Sequence, residues 1–553
     1  MGRTPAYDLV IRLLQEARRR NLVARNESPP LPRIAGGWNR RRVLSAAAAT
    51  GGALTAAASF PDLSFAHQGR PPRVVVVGAG IAGLCAGYHL KKAGIDAKIF
   101  EARRRLGGRI FTVEGAVGDE LITELGGSFI NSDHEDMLAL VEEFGLEVFS
   151  RLDNARGIPH SGAAFYFEDR RWDEVEVAEA LRPIAEQMTE DADRLDEDFD
   201  AVGAVLDRLS VEDYLDLHAD RLGEPFIRTL LENVIRAEYG VEPSESSALQ
   251  LVYALPTVEG TRVDIASTSD ENFVIQGGNS KLVEALGQAL AGQIELHRVL
   301  RRIEPACDGF RLTFAPHHVV EADYVIIAMP FTTLRRVHFQ IELPAGLRRF
   351  IEEVELGRNE KLVAGFSSRP WRTQNGFVLE AATDLGFTNV WDDTQQQDRT
   401  DAGLTFFFGG DQVGQSRRRS LRSDGQRVVD QLDAFAAGVA EAATGRFVRS
   451  RWTGDPFTRG AYTSFKPGQL TRFAEFLYVE ADDPEERQDA QVGNLVFAGE
   501  QFSDAYYGFM NGGAQTGRLA ARAVLAKIEE ADQGPAAAPT PGCPPNRRRK
   551  TRG

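Results

Sequence analysis

The chain has 553 residues, of which 43% are hydrophobic and 26% are charged, and its formal net charge is −16 at pH 7. This length exceeds one ordinary hydrophobic core, so a soluble globular protein with two structural domains is expected. The acidic balance argues against a nucleic-acid-binding protein and would attract cationic substrates. The three cysteines and the scattered histidines show no metal-ligand spacing and no even disulfide framework, so we predict no bound metal.

Residues 39–66 have the three parts of an export signal. The arginines at 40–42 precede an Ala/Gly-rich, weakly apolar stretch, and residues 64–66 fit a small-x-small cleavage site. The stretch is too short and too weakly apolar to span a membrane. We therefore predict that residues 1–66 form an N-terminal segment with a twin-arginine (Tat) signal. The Tat machinery would export the folded protein to the periplasm or the medium; without a working signal the protein would be cytoplasmic.

The region before the arginines has a pattern of its own. Residues 7–20 predict a short amphipathic basic helix, with Leu9, Val10, Leu13 and Leu14 clustered along it. Three interpretations of these residues stay open. They are a long n-region of the signal peptide, a segment that lies on a membrane surface, or residues that are present because the start codon was assigned upstream of the true one.

A nucleotide-binding pattern follows. Residues 74–77 are a continuous apolar run, as in a strand that is buried on both faces. Gly78, Gly80 and Gly83 have G-x-G-x-x-G spacing, which permits a tight turn, close approach of backbone N–H groups to a pyrophosphate, and close helix–strand packing. Glu101 ends the second strand, where a carboxylate accepts hydrogen bonds from ribose hydroxyls.

Residues 101–109, EARRRLGGR, resemble the E-A-x-x-R-x-G-G-R segment of the flavin amine oxidase superfamily, which includes monoamine, polyamine and L-amino-acid oxidases. The resemblance implies FAD as the cofactor. It places Glu101 on the adenosine ribose, Arg103 along the adenosine, and Gly108 and Arg109 near the pyrophosphate and the flavin.

Further segments carry the same resemblance over about residues 73–527. Residues 125–129 match the segment beneath the isoalloxazine, Val299 a backbone contact to adenine, and residues 495–500 a buried strand that ends in an acid. Residues 507–513 open a helix whose N-terminal amides would face the flavin. The cofactor-binding residues expected on this basis are Gly78, Gly80, Ala82, Gly83, Glu101, Ala102, Arg103, Gly108, Arg109, Gly126, Gly127, Ser128, Phe129, Val299, Gly499, Glu500, Phe509 and Met510.

The expected fold class is α/β, with a Rossmann-like FAD-binding domain interleaved with an α+β substrate-binding domain. Residues 175–247 predict helices, and residues 398–426 predict a polar exposed loop around a short Phe run. The expected FAD-binding domain takes residues 67–150, 275–325 and 490–530, the substrate-binding domain takes 151–274 and 326–489, and residues 531–553 form a disordered basic tail.

Three residues are the predicted catalytic set on the strength of the resemblance. Lys361 follows an L-G-x-x-x-K spacing and corresponds to a lysine that holds a water against flavin N5; burial in an apolar pocket would depress its pKa. Tyr462 and Phe509 correspond to two aromatic rings that flank the path to the flavin and bind the substrate. Ala461 stands where some monoamine oxidases have a flavin-linking cysteine, which predicts non-covalent FAD.

The substrate is less determined. L-Amino-acid oxidases of this kind often place an arginine in the segment that reads 125–129 here, where it would pair with a substrate carboxylate. Its absence favours amines, although Arg236 or Arg459 would be candidates to replace it. Glu238 is predicted to bind a second cationic group of the substrate, or alternatively to form a salt bridge at a helix end.

The predicted reaction is oxidative deamination of a primary amine or polyamine by O2, which yields a carbonyl compound, ammonia and hydrogen peroxide. The first alternative is an L-amino-acid oxidase, for instance one acting on basic amino acids. A flavin desaturase of an apolar substrate, an oxygenase outcome that gives an amide, and a binding protein with a vestigial flavin also stay open. Oligomeric state is not determined, and a homodimer is compatible with the sequence.

Overall fold

The computed structural model describes most of the chain from residue 70 onward. The arginines at 40–42, the predicted cleavage site and residues 534–553 lie outside the described residues, so export and tail disorder stay predictions. Within the described part, no helix is long and apolar enough to cross a membrane. The described residues are 13–14, 16–17, 20–25, 32–33, 70–158, 162–252, 257–259, 262–264, 270–307, 309–373, 376–481 and 487–533.

The first sheet, which we call the nucleotide sheet, is built from both ends of the chain. Its first five strands run parallel and its last pair is antiparallel. The central strands are buried at every position, because helices cover both faces of a parallel sheet. Its order is Ile294–Glu295, Lys98–Phe100, Val74–Val77, Tyr324–Ile327, Leu495–Phe497 and Gln491–Val492. The predicted α/β fold with a Rossmann-like sheet is confirmed.

Two helices pack closely against each other beside this sheet. Ile81–Lys92 follows the glycine turn, and Met510–Gln533 is the last described helix and extends into the predicted tail. A Cβ atom on Gly517 would lie 2.2 Å from the Ala82 carbonyl oxygen, so only glycine permits this approach. The two ends of the chain therefore meet through a contact that is set by backbone atoms.

The second sheet, which we call the substrate sheet, is mainly antiparallel. Its two longest strands, Asn359–Phe366 and Ala402–Gly409, are buried at every position. The second of these strands corrects the prediction of an exposed loop over 398–426, since the Phe run lies inside the sheet. The order is Ala443–Arg449, Asn359–Phe366, Ala402–Gly409, Asn389–Asp392, Glu380–Thr383, Ala163–Phe167 and Arg170–Trp172.

The helical region predicted over 175–247 is confirmed as a series of helices with polar caps. Asp173 and Glu176 form a capping box, and the side chains of Asp198 and Ser210 cap the helices that follow. Each cap starts a new helix and so divides the region into segments. The segments are Glu174–Glu197, Phe199–Arg208, Val211–Leu217, Pro225–Tyr239 and Ala248–Val252.

Smaller elements complete the described fold. A four-stranded sheet has the order His318–Ala322, Gly309–Ala315, Val299–Ala306 and His338–Phe339. The strand pairs are Val148–Ser150 with Phe273–Ile275, Thr112–Glu114 with Ile122–Glu124, and Glu355–Leu356 with Thr463–Ser464. Further helices are Glu135–Glu143, Arg151–Arg156, Ser280–Ala289, Phe331–Leu334, Ala345–Glu353, Asp411–Arg417, Leu421–Asp433, Val439–Ala442 and Leu470–Phe473. The predicted domain boundaries stay predictions.

Two cysteines lie in the described part of the chain, and they differ. Cys85 is free and buried in the helix after the glycine turn, and burial raises the pKa of its thiol. Cys307 is disulfide-bonded. The expectation that no disulfide framework exists is therefore wrong for Cys307, since counting three cysteines did not exclude one pair.

The glycine contact between the chain ends yields a stability prediction. Gly517→Ala should lower the free energy of unfolding by about 1–3 kcal/mol, the usual cost of overpacking, despite the better helix propensity of alanine. Urea denaturation would measure this change. Gly414→Ala is the matched control: Gly414 also lies in a helix, and its added Cβ would have no atom within 4 Å. Equal unfolding midpoints for the two variants would contradict the prediction.

Candidate active site

A cavity of about 470 Å³ receives residues from both sheets. Its nucleotide side contains the glycine turn, and its other side contains residues of the substrate sheet. Of the predicted cofactor-binding residues, all line this cavity except Gly83. Gly83 lies beneath the turn instead, where a Cβ would be 1.9 Å from the Gly78 carbonyl oxygen.

The glycine turn has the shape that a dinucleotide needs. Gly78 has a φ of +104°, and a Cβ there would lie 2.3 Å from the Ala328 carbonyl oxygen. The Glu101 carboxylate accepts hydrogen bonds from the Ala79 N–H at 2.8 Å and the Arg103 N–H at 2.7 Å. Because a carboxylate offers about four acceptor positions, Glu101 keeps capacity for ribose hydroxyls while its orientation is set by the backbone.

Arg103 lines the cavity, and its guanidinium is held by the other half of the molecule. It donates to the Asp455 carboxylate and to the Thr458 hydroxyl, and it lies 5.5 Å from the centre of the Phe457 ring. The contact of Arg103 with adenosine stays a prediction. The observed contacts show that Arg103 also holds residues 455–458 against the nucleotide side of the cavity.

The C-terminal motif contacts the Gly-Gly-Arg loop directly. The Arg109 guanidinium donates to the Glu500 carboxylate at 2.7 Å and to the Ala461 carbonyl oxygen at 2.6 Å. The same carboxylate accepts from the Thr463 hydroxyl at 2.9 Å and from the Gly508 N–H at 2.5 Å. Glu500 therefore joins three separate segments at the cavity wall, and the helix Met510–Gln533 begins beside them.

Lys361 lies in the cavity wall and is 6% exposed. Its ammonium donates to the carbonyl oxygens of Gly126 at 2.7 Å and Glu124 at 3.1 Å, and to the Ser128 hydroxyl. Burial lowers the pKa of Lys361, while the charges of Asp393 and Glu124 oppose this shift. These contacts use the three protons of an ammonium group, so holding a water would require one of them to be released.

Two buried carboxyl groups accompany this lysine. Asp393 accepts from the Glu124 N–H at 2.9 Å and from the Trp391 indole at 3.3 Å, and burial raises its pKa. Burial raises the pKa of Glu124 to about 8, against hydrogen bonds from the Asn279 N–H and the Thr112 hydroxyl. The protonation states of Lys361, Glu124 and Asp393 therefore depend on one another.

Aromatic rings form the wall next to Lys361. We define the aromatic pocket as Phe129, Trp391, Phe407 and Tyr462, which all line the cavity and pack together around Ala237. The ring centres of Phe129 and Trp391 are 5.6 Å apart, and those of Trp391 and Phe407 are 5.5 Å apart. The Tyr462 hydroxyl donates to the Ala237 carbonyl oxygen at 2.6 Å, which fixes its ring.

Phe509 also lines the cavity and packs edge-to-face on His134, with ring centres 4.9 Å apart. The structure thus places all three predicted catalytic residues, Lys361, Tyr462 and Phe509, in one cavity wall. Their catalytic roles stay predictions, since position alone does not test them.

The structure does not bring Glu238 into this wall. Glu238 is buried in the helix Pro225–Tyr239 but does not line the cavity. The reason is helical rotation: Ala237 faces the aromatic pocket, and the next residue is turned by about 100°. Arg236 and Arg459 are likewise absent from the wall, and Arg236 pairs with Glu232 and Glu242. The predicted substrate contacts of these residues are therefore not supported.

Sequence reasoning missed Trp391, Phe407 and Glu271, which all line the cavity. A period-two reading of the Phe run would have separated Phe407 from Phe406 and Phe408, which pack in the core on the opposite face of the sheet. Glu271 follows residues 265–269, which lie outside the described part, and no local pattern marks it.

No group of three or more His, Cys, Asp or Glu side chains within the described residues is arranged to hold a metal ion. The residues that are present fit a flavin dinucleotide instead. An added Cβ would lie 2.3 Å from the Ala328 carbonyl oxygen at Gly78 and 2.0 Å from the Arg109 carbonyl oxygen at Gly126, so glycine is what lets the backbone that lines the cavity pack this closely. This fold and site define a class of protein, the flavin-dependent oxidoreductases, in which a nucleotide sheet and a separate substrate sheet enclose one cavity.

The comparisons with known proteins identify the family. The family model "Flavin containing amine oxidoreductase" matches residues 81–525, and the chain belongs to this family. Membership implies FAD as the cofactor, and small-molecule amines and O2 as the reactants. The protein is an oxidoreductase.

Relatives agree with this assignment. Flavin-containing amine oxidase B of Canis lupus familiaris is 26% identical over 472 residues, 82% of this chain and 86% of the relative. The flavin-containing amine oxidase of Danio rerio is 24% identical over 479 residues, 82% and 85% of the two chains.

Solved structures of amine oxidases have the same fold. Cyclohexylamine oxidase from Brevibacterium oxydans has a TM-score of 0.68 at 24% identity and covers 83% of this chain and 100% of that one. Wild-type putrescine oxidase bound to putrescine has a TM-score of 0.67 at 21% identity, with 82% and 99% coverage.

The raised pKa of Glu124 predicts a pH-dependent stability. An acid whose folded-state pKa lies near 8, against 4.5 ordinarily, stabilises the fold below pH 4.5 and loses this contribution as the pH rises to about 8. Glu124→Gln should therefore flatten the decline in unfolding free energy between pH 5 and 8, measured by urea denaturation. Glu114→Gln, an exposed site on the same strand pair, is the control. An unchanged slope in Glu124→Gln would contradict the prediction.

Proposed function

We propose that this protein is an FAD-dependent amine oxidase. It converts a primary amine, O2 and water into a carbonyl compound, ammonia and hydrogen peroxide. The observation that carries the proposal is the position of Lys361: buried, in the wall of the same cavity as the glycine turn, and next to the aromatic pocket. Bound flavin would supply the two-electron acceptor for this chemistry. Because Ala461 has no thiol that could form a covalent link to the flavin, we propose non-covalent binding.

The residues of the chain have distinct tasks in this proposal. The aromatic pocket excludes water and holds the amine in its neutral form, with the reacting carbon directed to the flavin side of the cavity. Lys361 moves a proton at its Nζ atom, and the carboxyl groups of Glu124 and Asp393 tune the charge of that nitrogen. The N-terminal end of the helix Met510–Gln533 favours negative charge at the cofactor.

An amine fits the cavity better than an amino acid does. Two arginines in the wall are already paired, Arg103 with Asp455 and Arg109 with Glu500, and a third, Arg336, is exposed. Arg298 and Arg301 flank Val299, the predicted adenine contact. The structural neighbours named for cyclohexylamine and putrescine also support an amine substrate.

If the substrate carries a second cationic group, Glu271 is the acid that would meet it. Glu271 is 2% exposed, lines the cavity and acts electrostatically on Lys361. Glu238, by contrast, lies outside the wall.

Glu271→Gln should therefore raise KM for putrescine at least tenfold more than KM for cyclohexylamine, because only the diamine keeps a distal charge. Glu238→Gln is the matched control and should affect both amines alike. Steady-state peroxide assays on both substrates would measure the ratio. A selective loss of putrescine turnover in Glu238→Gln, but not in Glu271→Gln, would reverse this assignment.

A second candidate function, L-amino-acid oxidation, has one observation in its favour. Phe129 stands where the family resemblance places an arginine, and the Arg151 guanidinium lies 4.1 Å from the centre of the Phe129 ring. Arg151 is buried, and within the described residues its Nε atom has no hydrogen-bond partner. Like Arg236 and Arg459, Arg151 does not line the cavity, and its terminal nitrogens donate to the carbonyl oxygens of Glu271 and Leu379. Its contact with a ring of the aromatic pocket makes it the candidate for binding a carboxylate.

The first experiment is a peroxide-coupled oxidase screen on the purified yellow protein. The panel contains cyclohexylamine, benzylamine, putrescine, spermidine and the L-amino acids. Peroxide with amines alone supports the proposal. Peroxide with L-amino acids alone overturns it in favour of L-amino-acid oxidation. Flavin-loaded protein that yields peroxide with neither group contradicts both and leaves the desaturase, oxygenase and vestigial-flavin alternatives.

Lys361→Met tests the proton-transfer task at nearly constant volume. Loss of a group that moves protons typically costs 10²–10⁴-fold, so we expect kcat to fall by about 10²-fold or more while the flavin remains bound. Lys281→Met, at a half-exposed helical position, is the control and should leave kcat unchanged. Stopped-flow reduction and reoxidation of the flavin absorbance would show which half-reaction slows. A wild-type kcat in Lys361→Met would refute the role.

A further inference from the structure

The described residues near the start of the chain are packed into the folded enzyme. Residues 13–14, 16–17 and 20–24 are helical. Leu13, Leu14 and Ala17 are 4%, 1% and 0% exposed and belong to the same hydrophobic core as Leu181 and Ile184 of the helix Glu174–Glu197. The amphipathic pattern predicted over residues 7–20 thus has a partner on the protein itself.

Specific polar contacts set the register of this packing. Asn21 and Arg182 exchange two hydrogen bonds, from the Asn21 amide to the Arg182 carbonyl oxygen at 3.0 Å and from the Arg182 guanidinium to the Asn21 side-chain oxygen at 2.9 Å. Arg20 pairs with Glu179 at 3.3 Å, and Arg25 pairs with Glu186. Basic residues of the segment therefore meet acids of the helix, and the reciprocal Asn21–Arg182 pair allows one alignment.

Residues 32–33 add a strand to another part of the described fold. Its strand Pro32–Arg33 pairs in parallel with Arg262–Asp264, which pairs in turn with Thr257–Glu259. The strand Thr257–Glu259 also lies next to the helix Glu174–Glu197.

We propose that the described residues 13–14, 16–17, 20–25 and 32–33, here called the N-terminal clamp, are a structural part of the enzyme that holds the strands Thr257–Glu259 and Arg262–Asp264 against it. The clamp stays bound without a covalent link when the chain is cut between residues 34 and 66. A cut after Ala66, at the predicted cleavage site, would then yield a complex of two chains. The described residues before the arginines are thus a part of the fold, whichever substrate the enzyme oxidises.

The apolar and polar contacts together favour retention. Burial of the Leu13 and Leu14 side chains removes their apolar surface from water and so stabilises the docked segment. The reciprocal hydrogen bonds add specificity, and the strand pairing supplies partners for backbone groups that would otherwise need water.

The direct test uses the flavin-loaded full chain with a specific protease site inserted between Gly51 and Gly52. After cleavage, size-exclusion chromatography and mass spectrometry show whether the N-terminal peptide co-elutes with the larger, flavin-loaded fragment. We expect the peptide to co-elute in about equimolar amount. Complete separation of the peptide from a larger fragment that keeps its flavin would overturn the proposal.

Variants of the clamp separate docking from chance association. Leu13→Asp combined with Leu14→Asp should release the peptide after cleavage and raise hydrogen exchange at least tenfold in residues 174–197 and 257–264. Val23→Asp, at a position that is 51% exposed, is the matched control and should retain both peptide and protection.

Asn21→Ala offers a milder change that leaves the core intact, and it should release the peptide several-fold faster than the control. Unchanged exchange in both regions after the peptide has left would show that the clamp holds nothing, and would overturn the proposal.

Discussion

The contact between the two ends of the chain is the constraint on which the rest of this structure depends. Helices Ile81–Lys92 and Met510–Gln533 approach so closely that a side chain at Gly517 would meet backbone. The Arg109–Glu500 pair then joins the Gly-Gly-Arg loop to the C-terminal motif at the cavity. A partly buried ion pair adds little net stability, but losing one partner would leave the other desolvated, so it specifies the junction more than it strengthens it. Residues from both sides of this junction line the cavity.

The junction places two environments side by side. On the nucleotide side, backbone amides and glycines offer polar contacts at close range. On the other side, the aromatic pocket and the buried lysine create a region of low polarity, where the charge states of Lys361, Glu124 and Asp393 depend on one another. An amine entering this region would lose its water, which favours its neutral form. The chemistry proposed for this protein follows from that adjacency more than from any one residue.

Much of the nucleotide half could be predicted from the sequence, because its signals are local. A buried strand, a glycine turn and a helix occur within a few residues of one another, and each has its own steric requirement. The substrate sheet could not be predicted in this way. Its strands come from distant parts of the chain, and the Phe run was assigned to a loop because the polar residues around it dominate the local composition. The strand Ala402–Gly409, which contains the Phe run, pairs with Asn359–Phe366, and this long-range contact is not visible in the local composition.

The sequence by itself determined the nucleotide-binding motifs and the family resemblance, and it identified Lys361, Tyr462 and Phe509 as the candidate catalytic residues. Each of these depends on residue type at short spacing. Only the tertiary structure decided which side chains share the cavity. It left Glu238 out of the cavity lining because a helix turns by about 100° per residue, and it brought in Trp391, Phe407 and Glu271 because sheet pairing and loop position orient them inward. Orientation depends on long-range packing, and no local pattern of residues encodes it.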